Sequence, residues 1–284
     1  MHIPLEDKNL SPYEHQTIQS LLNAQNPELK DDLEQIWYLM DKVWYEMGCD
    51  NRNLDWEKIG AYYNHPVWIL NGLFIESHEL SMQIRQDIAS YIAHSDFEII
   101  VDYGGGFGSL AKTIAQKAPE KKILIYEPFP SEYSRKCIKD YPNINFIDTL
   151  PKEIDCIIAT DVLEHVEDPL KTFEEMITPL KIGGEALIAN CFHGCIQCHL
   201  PQNFHYRYTF NLFAKAMGLE NLGILQNTHA TIFKKIKNQK LHPSIKSLGG
   251  GASKVMFAII SSLEFARPYL RPIKRYIQSK LKGK

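Results

Sequence analysis

Val101-Asp102-Tyr103-Gly104-Gly105-Gly106-Phe107-Gly108-Ser109 is the stretch on which the reading of this 284-residue chain turns. It follows a short β-rich run, Phe97–Val101, and precedes a helical pattern, Ser109–Lys117. Glycines suit such a bend, because the backbone turns sharply and a ligand can approach it with no Cβ in the way. In an open α/β sheet the bend lies at the carboxyl ends of the strands, where ligands bind. A dinucleotide fingerprint, Gly-x-Gly-x-x-Gly/Ala, counted from Gly104 would need Gly or Ala at position 109, and Ser109 stands there. Asp102 at the mouth of the turn would repel a pyrophosphate but not a cationic ligand.

Outward from the turn, the β-rich runs are Phe97–Val101, Lys122–Tyr126, Ile144–Ile147, Asp155–Ala159 and Glu185–Ala189. Helical stretches fall at Ser109–Lys117, Ser131–Asp140, Pro169–Leu180 and Phe210–Met217. That alternation predicts a parallel sheet with crossover helices. Gly223–Gln226 and Ala230–Lys235 are close enough in sequence to form an antiparallel pair at one edge.

Residues 1–95 read as helical. Asn26-Pro27-Glu28 predicts a helix start, and Leu33, Ile36, Trp37, Met40, Val43, Trp44 and Met47 follow at helical spacing until Gly48. A second helix is predicted from about Ser77 to Ala93. Between them Tyr62, Tyr63, His65 and Trp68 are either core between the helices or a lid over a ligand. Lys237 to Lys254, with Gly249-Gly250-Gly251, reads as a linker to a last helix. The expected division is a helical lid or substrate region (1–95), a binding core (96–236), and a linker with a basic tail (237–284).

Apolar residues make up 44% and charged residues 23%, which excludes a disordered or fibrous chain. No apolar run approaches the length of a membrane span, and the first residues lack a secretory pattern, so a cytoplasmic location is expected. The net charge of −3 conceals an asymmetry: residues 230–284 hold thirteen Lys/Arg and one acid, Glu264, leaving 18 basic and 33 acidic side chains before them. An acidic body with a basic tail is not a nucleic-acid-binding footprint. The tail, apolar from Val255 to Ala266 and cationic from Arg267 to Lys284, fits either a final helix with a solvated end or peripheral contact with anionic lipid.

The glycine turn from Asp102 to Gly108 resembles motif I of the class I S-adenosylmethionine-dependent methyltransferases. So do Tyr126-Glu127-Pro128, the run from Asp155 to Pro169 through Leu163-Glu164-His165, and Leu180-Lys181-Ile182-Gly183-Gly184, each in the family's order. The resemblance implies a Rossmann-like, seven-stranded methyltransferase sheet, mostly parallel with an antiparallel edge pair. It also implies S-adenosyl-L-methionine held by Asp102, Gly104, Gly106, Gly108, Glu127, Phe129, Asp148, Thr160 and Asp161. In that reading Glu127 takes the ribose hydroxyls, Asp148 the adenine amino group, and Thr160 and Asp161 the methionine end; Phe129 lies on the adenine or in the core.

A hydroxyl acceptor needs a base, and histidine is the natural one near neutral pH. His165, His199 and His205 are the candidates, with His193 nearby. Asp161, Glu164 and His165 also resemble the cation-holding segment of some ubiquinone-type O-methyltransferases, although Asp161 replaces the glutamate common there; a divalent cation is the less favoured alternative, and no metal is assigned. Cys195-Ile196-Gln197-Cys198-His199 matches a haem-attachment pattern. With no export signal to support haem, and with Cys191, Cys195, Cys198 and His199 unusually compressed for zinc, this segment reads as a loop lining the pocket. The expected activity is O-methylation of a small polar acceptor, first a sugar or cell-surface glycan precursor. A quinone or phenolic acceptor, and a non-catalytic S-adenosylmethionine-binding partner subunit, are the alternatives.

Overall fold

Helix starts in the N-terminal third are set by short polar side chains. In a computed structural model that describes residues 1–281 apart from position 7, and side chains only to residue 264, Ser11 opens α1 (Pro12–Asn23) with a reciprocal capping box to Glu14. Asp31 caps α2 (Asp32–Glu46) by accepting from the Leu33 and Glu34 amides, and Asp55 caps α3 (Trp56–Tyr63) in the same way. The start expected at Asn26-Pro27-Glu28 is not a helix. Asn26 Oδ1 accepts the Glu28 amide at 3.0 Å and closes a turn instead, the alternative such side chains offer a backbone. Gly48, with φ at 67°, does follow the end of α2. α4 (Val67–Ser77) and α5 (Glu79–Ala93) complete the region.

The sheet then forms in sequence: β1 (Ile99–Tyr103), α6 (Ser109–Lys117), β2 (Lys122–Tyr126), α7 (Glu132–Cys137), β3 (Ile144–Ile147), β4 (Ile154–Thr160), α8 (Pro169–Ile177) and β5 (Leu180–Ala189). A 3₁₀ segment (Pro201–Tyr208), unmarked by any apolar periodicity, leads to α9 (Phe210–Ala216), β6 (Leu219–Ile224) and β7 (Thr231–Lys235). Strand order is β3-β2-β1-β4-β5-β7-β6, parallel except for β7, which runs antiparallel to both β5 and β6. This is the seven-stranded, Rossmann-like arrangement the sequence implied. The register pairs Tyr103 with Tyr126 and Thr160 with Ala189, so the ends of β1, β2, β4 and β5 lie along one edge. The order reverses between β1 and β4, the place where open α/β sheets bind ligands.

Three buried clusters hold the fold. One face of the sheet packs Val101, Leu124, Ile157 and Ala159 against α8 and α9; the other packs Ile100, Ile123, Ile125 and Ile158 against α6 and also α5, through Ile88, Ala89 and Ile92. α5 therefore belongs to the sheet's core. The third cluster joins Ile36, Trp44, Tyr62 and Leu70 to Phe107 of the glycine turn, Tyr133 of α7, and Ile196 and Cys198 from the loop after β5. That cluster seats α1–α4 on the carboxyl edge of the sheet. The fit is close: a Cβ on Gly72 of α4 would fall 1.6 Å from the Phe107 ring.

The linker expected over 237–254 is largely helix. α10 (Pro243–Leu281) begins at Pro243 and runs through the three glycines. A Cβ at Gly249 would come within 2.9 Å of Phe213, so the absence of a side chain lets α10 lie against α9. The helix also continues through positions 268 and 272, both proline in the sequence. The side chains of the cationic stretch from Arg267 to Lys284 lie outside the described residues. Among the described residues, no helix is long and apolar enough to cross a membrane.

Candidate active site

β1 ends at Tyr103, and the chain must bend into α6 within five residues. A Cβ at Gly105 would lie 2.6 Å from Asp102 Oδ2, so the protein's own packing requires that glycine. Gly106 differs. Its φ is 55°, and a Cβ there would meet nothing within 4 Å, because the space beside it is the cavity. This cavity, of about 1020 Å³, extends from the glycine turn to the loop after β5 and is roofed by α3 and α4.

Of the residues the sequence singled out, Asp102, Gly104, Gly106, Glu127, Phe129, Thr160, Asp161, His165 and His199 line this cavity. Gly108, Asp148 and His205 do not. Gly108 opens α6, and a Cβ there would strike Ile125 and Ile138, so it serves helix–strand packing. Asp148 is exposed beyond the end of β3, away from the cavity wall. His205 is buried under α10, where its Nδ1 pairs with Ser253 Oγ at 2.7 Å, so it is not a base for a ligand in this cavity. Thr209 occupies the N-cap position of α9, but its hydroxyl is spent on His205 O and Ser253 Oγ rather than on the helix.

At the turn, Glu127 accepts from the Gly106 and Phe129 amides, each at 3.0 Å. Burial raises its pKa against those two bonds. Asp102 is 1% exposed, and its Oδ2 has no hydrogen-bond partner. Burial pushes Asp102 up to about 7 despite the pull of the Arg85 guanidinium. Arg85 itself lines the cavity, with Nη1 on Ser81 O and Nε without a partner. The orphaned oxygen of Asp102, the unfilled space at Gly106 and a cation in the same wall fit a zwitterionic amino-acid moiety carrying a positive sulfur.

Aromatic rings continue the wall. Phe129 stacks on Tyr63 at 5.6 Å, Tyr63 touches Trp68 at 5.0 Å, and Trp68 stands edge-on to His165 at 6.1 Å. Tyr63 and Trp68 thus face the cavity, whereas Tyr62 is fully buried, so the segment is both core and lid. His165 and His199 meet at 4.7 Å. Each directs Nδ1–H to a backbone carbonyl: His165 to Cys198 O at 3.1 Å, His199 to His193 O at 2.6 Å. Burial lowers both pKa values; His165, beside His199, falls to about 3.

The metal set read from the ubiquinone-type resemblance does not converge. Asp161, with φ at 54°, turns its carboxylate to His229 Nε2 at 3.1 Å. Glu164 is fully buried, and its Oε1 accepts the Cys191 amide. Among the described residues, the groups with convergent ligand atoms are Glu164–His165–His199 and Cys191–Cys195–His199. Cys198 leaves the cysteine cluster: it takes the Tyr62 hydroxyl at 3.8 Å under the lid, which also separates it from its haem-pattern partner Cys195. Arg85 and His229 went unread in the sequence. Arg85 is a lone cation beside the apolar Ile84 and Ile88 of α5, a signal that could have been seen; His229 arrives only through the pairing of β7 with β5.

A strand-order reversal, a side-chain-free turn between an inward carboxylate and an acid on the second strand, and a roofed cavity beyond them define a class I S-adenosylmethionine-dependent methyltransferase. A family model described as a methyltransferase domain matches residues 77–233, more than half of the chain, and the chain belongs to that family. No curated protein matches the sequence. Similar solved structures include the mitomycin 7-O-methyltransferase, at 15% identity over 79% of this chain and 69% of that one, with a TM-score of 0.47. An O-methyltransferase family protein from Burkholderia thailandensis is 12% identical over 78% and 77%, with a TM-score of 0.46. The riboflavin-analogue N,N-dimethyltransferase from Streptomyces davawensis is 14% identical over 56% and 55%, with a TM-score of 0.44.

Proposed function

We propose that this chain methylates a hydroxyl of a small, ring-bearing polar acceptor. The observation that carries the reading is the continuity of one cavity. Its first half has the glycine turn, Asp102, Glu127 and Arg85; its second has the aromatic row and the two neutral imidazoles. S-Adenosylmethionine supplies a methyl group on a sulfonium, and the protein's task is alignment, which can account for roughly 7–11 kcal/mol of such a barrier. Glu127 takes the ribose hydroxyls, Phe129 lies on the purine, and Arg85 holds the methionine carboxylate while Asp102 answers its ammonium. Thr160 and Asp161 border that end. His165 and His199, held uncharged at neutral pH by burial, border the acceptor end of the cavity.

A sugar or glycan precursor remains the first acceptor class, since its ring can lie on Tyr63 and Trp68 while its hydroxyls face the imidazoles. The largely apolar aromatic roof of Trp37, Trp56, Tyr63 and Trp68 favours a phenolic or quinol acceptor as the second reading. The proposal includes peripheral contact of α10 with anionic lipid, supported by its row of exposed apolar side chains. Labelled S-adenosylmethionine incubated with the protein and fractionated cell extract tests the activity. Incorporation into a small hydroxylated product supports it. Cofactor binding with no incorporation into any fraction would leave a binding subunit, and selective binding of NAD would end the reading altogether.

A further inference from the structure

The geometry points to a zinc-type metal site formed by Cys191, Cys195 and His199 on the acceptor wall of the cavity, with its fourth position open to the ligand space. Cys191 lies two residues past Ala189, the end of β5, and all three residues line the cavity. One ligand atom from each lies within 4.8 Å of the others. Cys191 Sγ and Cys195 Sγ are 3.7 Å apart. Two sulfurs each about 2.3 Å from a tetrahedral ion stand about 3.8 Å apart, so the thiols already span the edge of such a site. They are too far apart for a disulfide, whose sulfurs are about 2.05 Å apart.

The supporting groups are those a metal-binding imidazole needs. His199 commits Nδ1–H to His193 O, which fixes the tautomer and leaves the other ring nitrogen with its lone pair. Glu164 anchors the backbone of Cys191 through Oε1, while its buried Oε2 has no partner. That carboxylate also lies within 4.8 Å of a ring nitrogen on each of His165 and His199, a buried anion that a cation would offset. Two thiolates and an imidazole select a borderline-soft ion, and three protein ligands with an open place are the pattern of a working site rather than a structural one.

The use of the ion rests on the methyl-transfer reading. A bound hydroxyl or thiol acceptor loses its proton more readily on such an ion. With that proton released to solvent, the heteroatom–methyl bond would form as the sulfonium–methyl bond breaks, its electron pair staying on sulfur as the neutral thioether.

The test uses the full chain without a histidine tag, purified under reductant. Elemental analysis should find about one zinc per chain, and cobalt(II) added to chelator-stripped protein should give thiolate charge-transfer and tetrahedral visible bands. Cys191→Ser, Cys195→Ser and His199→Gln should each lose the bands and stoichiometric zinc, while Glu164→Gln retains thiolate bands. No zinc and no thiolate band in the reduced wild type would overturn the site. So would metal that survives the double cysteine variant and is lost in Glu164→Gln, since the carboxylate–histidine set would then be the holder. Stoichiometric metal in a protein that methylates nothing would leave the site standing and remove the activity reading.

Discussion

Glu127 and Gly106, 21 residues apart, are joined by a 3.0 Å hydrogen bond from the glycine amide to the carboxylate across the mouth of the cavity. The second oxygen of Glu127 is on the Phe129 amide. One side chain thus sets the distance between the glycine turn and the end of β2. In the proposed reading, a ribose arriving there would exchange its two hydroxyls for the turn's amide as partners of that carboxylate. Glu127→Ala should weaken S-adenosylmethionine by roughly 1–3 kcal/mol, the value of a hydrogen bond to a charged group, and weaken 5′-methylthioadenosine equally. Titration calorimetry with both ligands checks it; unchanged affinity would place the nucleoside elsewhere.

Arg85 gives the complementary prediction. Its side chain is half-buried on α5, with a buried and unpaired Nε, and Asp102 and Asp161 are near enough to favour its charge. If it holds the methionine carboxylate, Arg85→Gln should lower affinity for S-adenosylmethionine tenfold or more and leave 5′-methylthioadenosine, which lacks that carboxylate, almost unchanged. An equal loss for both ligands would mean that the arginine supports the fold of the turn rather than binding the amino acid.

The legible parts of the sequence were those governed by local rules. The β-rich runs marked six strands, and Lys122–Tyr126 and Ile144–Ile147 have the bounds those runs showed; the run expected at Gly223–Gln226 was misplaced, since β6 spans Leu219–Ile224 and shares only Gly223 and Ile224 with it. The cavity wall was legible at Asp102, Gly106 and Glu127 because turn chemistry and strand ends fix those places. What failed depended on distant packing. His205 has the right residue type beside the right loop, but α10 returns from 48 residues away to place Ser253 on its ring. The three glycines of α10 look like a linker until Phe213 is found against Gly249. Cys198 is three residues from Cys195 but faces Tyr62, a direction only the third core cluster decides.

Asp155 predicts how the sheet responds to acid. Its carboxylate accepts from the Ile99 and Glu98 amides at 2.8 and 3.1 Å and pairs with Lys181 at 2.6 Å, so it ties the starts of β1, β4 and β5. Burial works upward on its pKa, but Lys181 and the two amides outweigh it and hold the group below the ordinary 3.8. A depressed carboxylate contributes stability above its unfolded value and loses it as pH falls through the folded one. Asp155→Asn should therefore cost roughly 1–3 kcal/mol at neutral pH, through bonds to a charged acceptor, and the gap to wild type should close only below about pH 4. Urea melts across that range read it; a gap unchanged in acid would show that the charge contributes nothing.

Along α10, Leu248, Val255, Ile259 and Leu263 are each more than half exposed and follow one another at spacings of seven, four and four. At 3.6 residues per turn these positions share one face, opposite the buried Ser253. The sequence beyond them, from Arg267 to Lys284, carries seven cations and no acid. An apolar face beside a basic stretch partitions to anionic interfaces by both terms. The full chain should float with vesicles containing phosphatidylglycerol, float less with phosphatidylcholine alone, and lose the difference in high salt. Ile259→Asp with Leu263→Asp removes two side chains worth up to about 1.5–3 kcal/mol each on full burial, so even partial insertion predicts at least a tenfold drop in the bound fraction. Both positions are on the solvent side, and the melting temperature of the double variant should match wild type. Equal recovery of the two proteins in the lipid-free fraction would remove the membrane from the account and leave the stripe to another copy of the chain, which sedimentation at rising concentration would reveal.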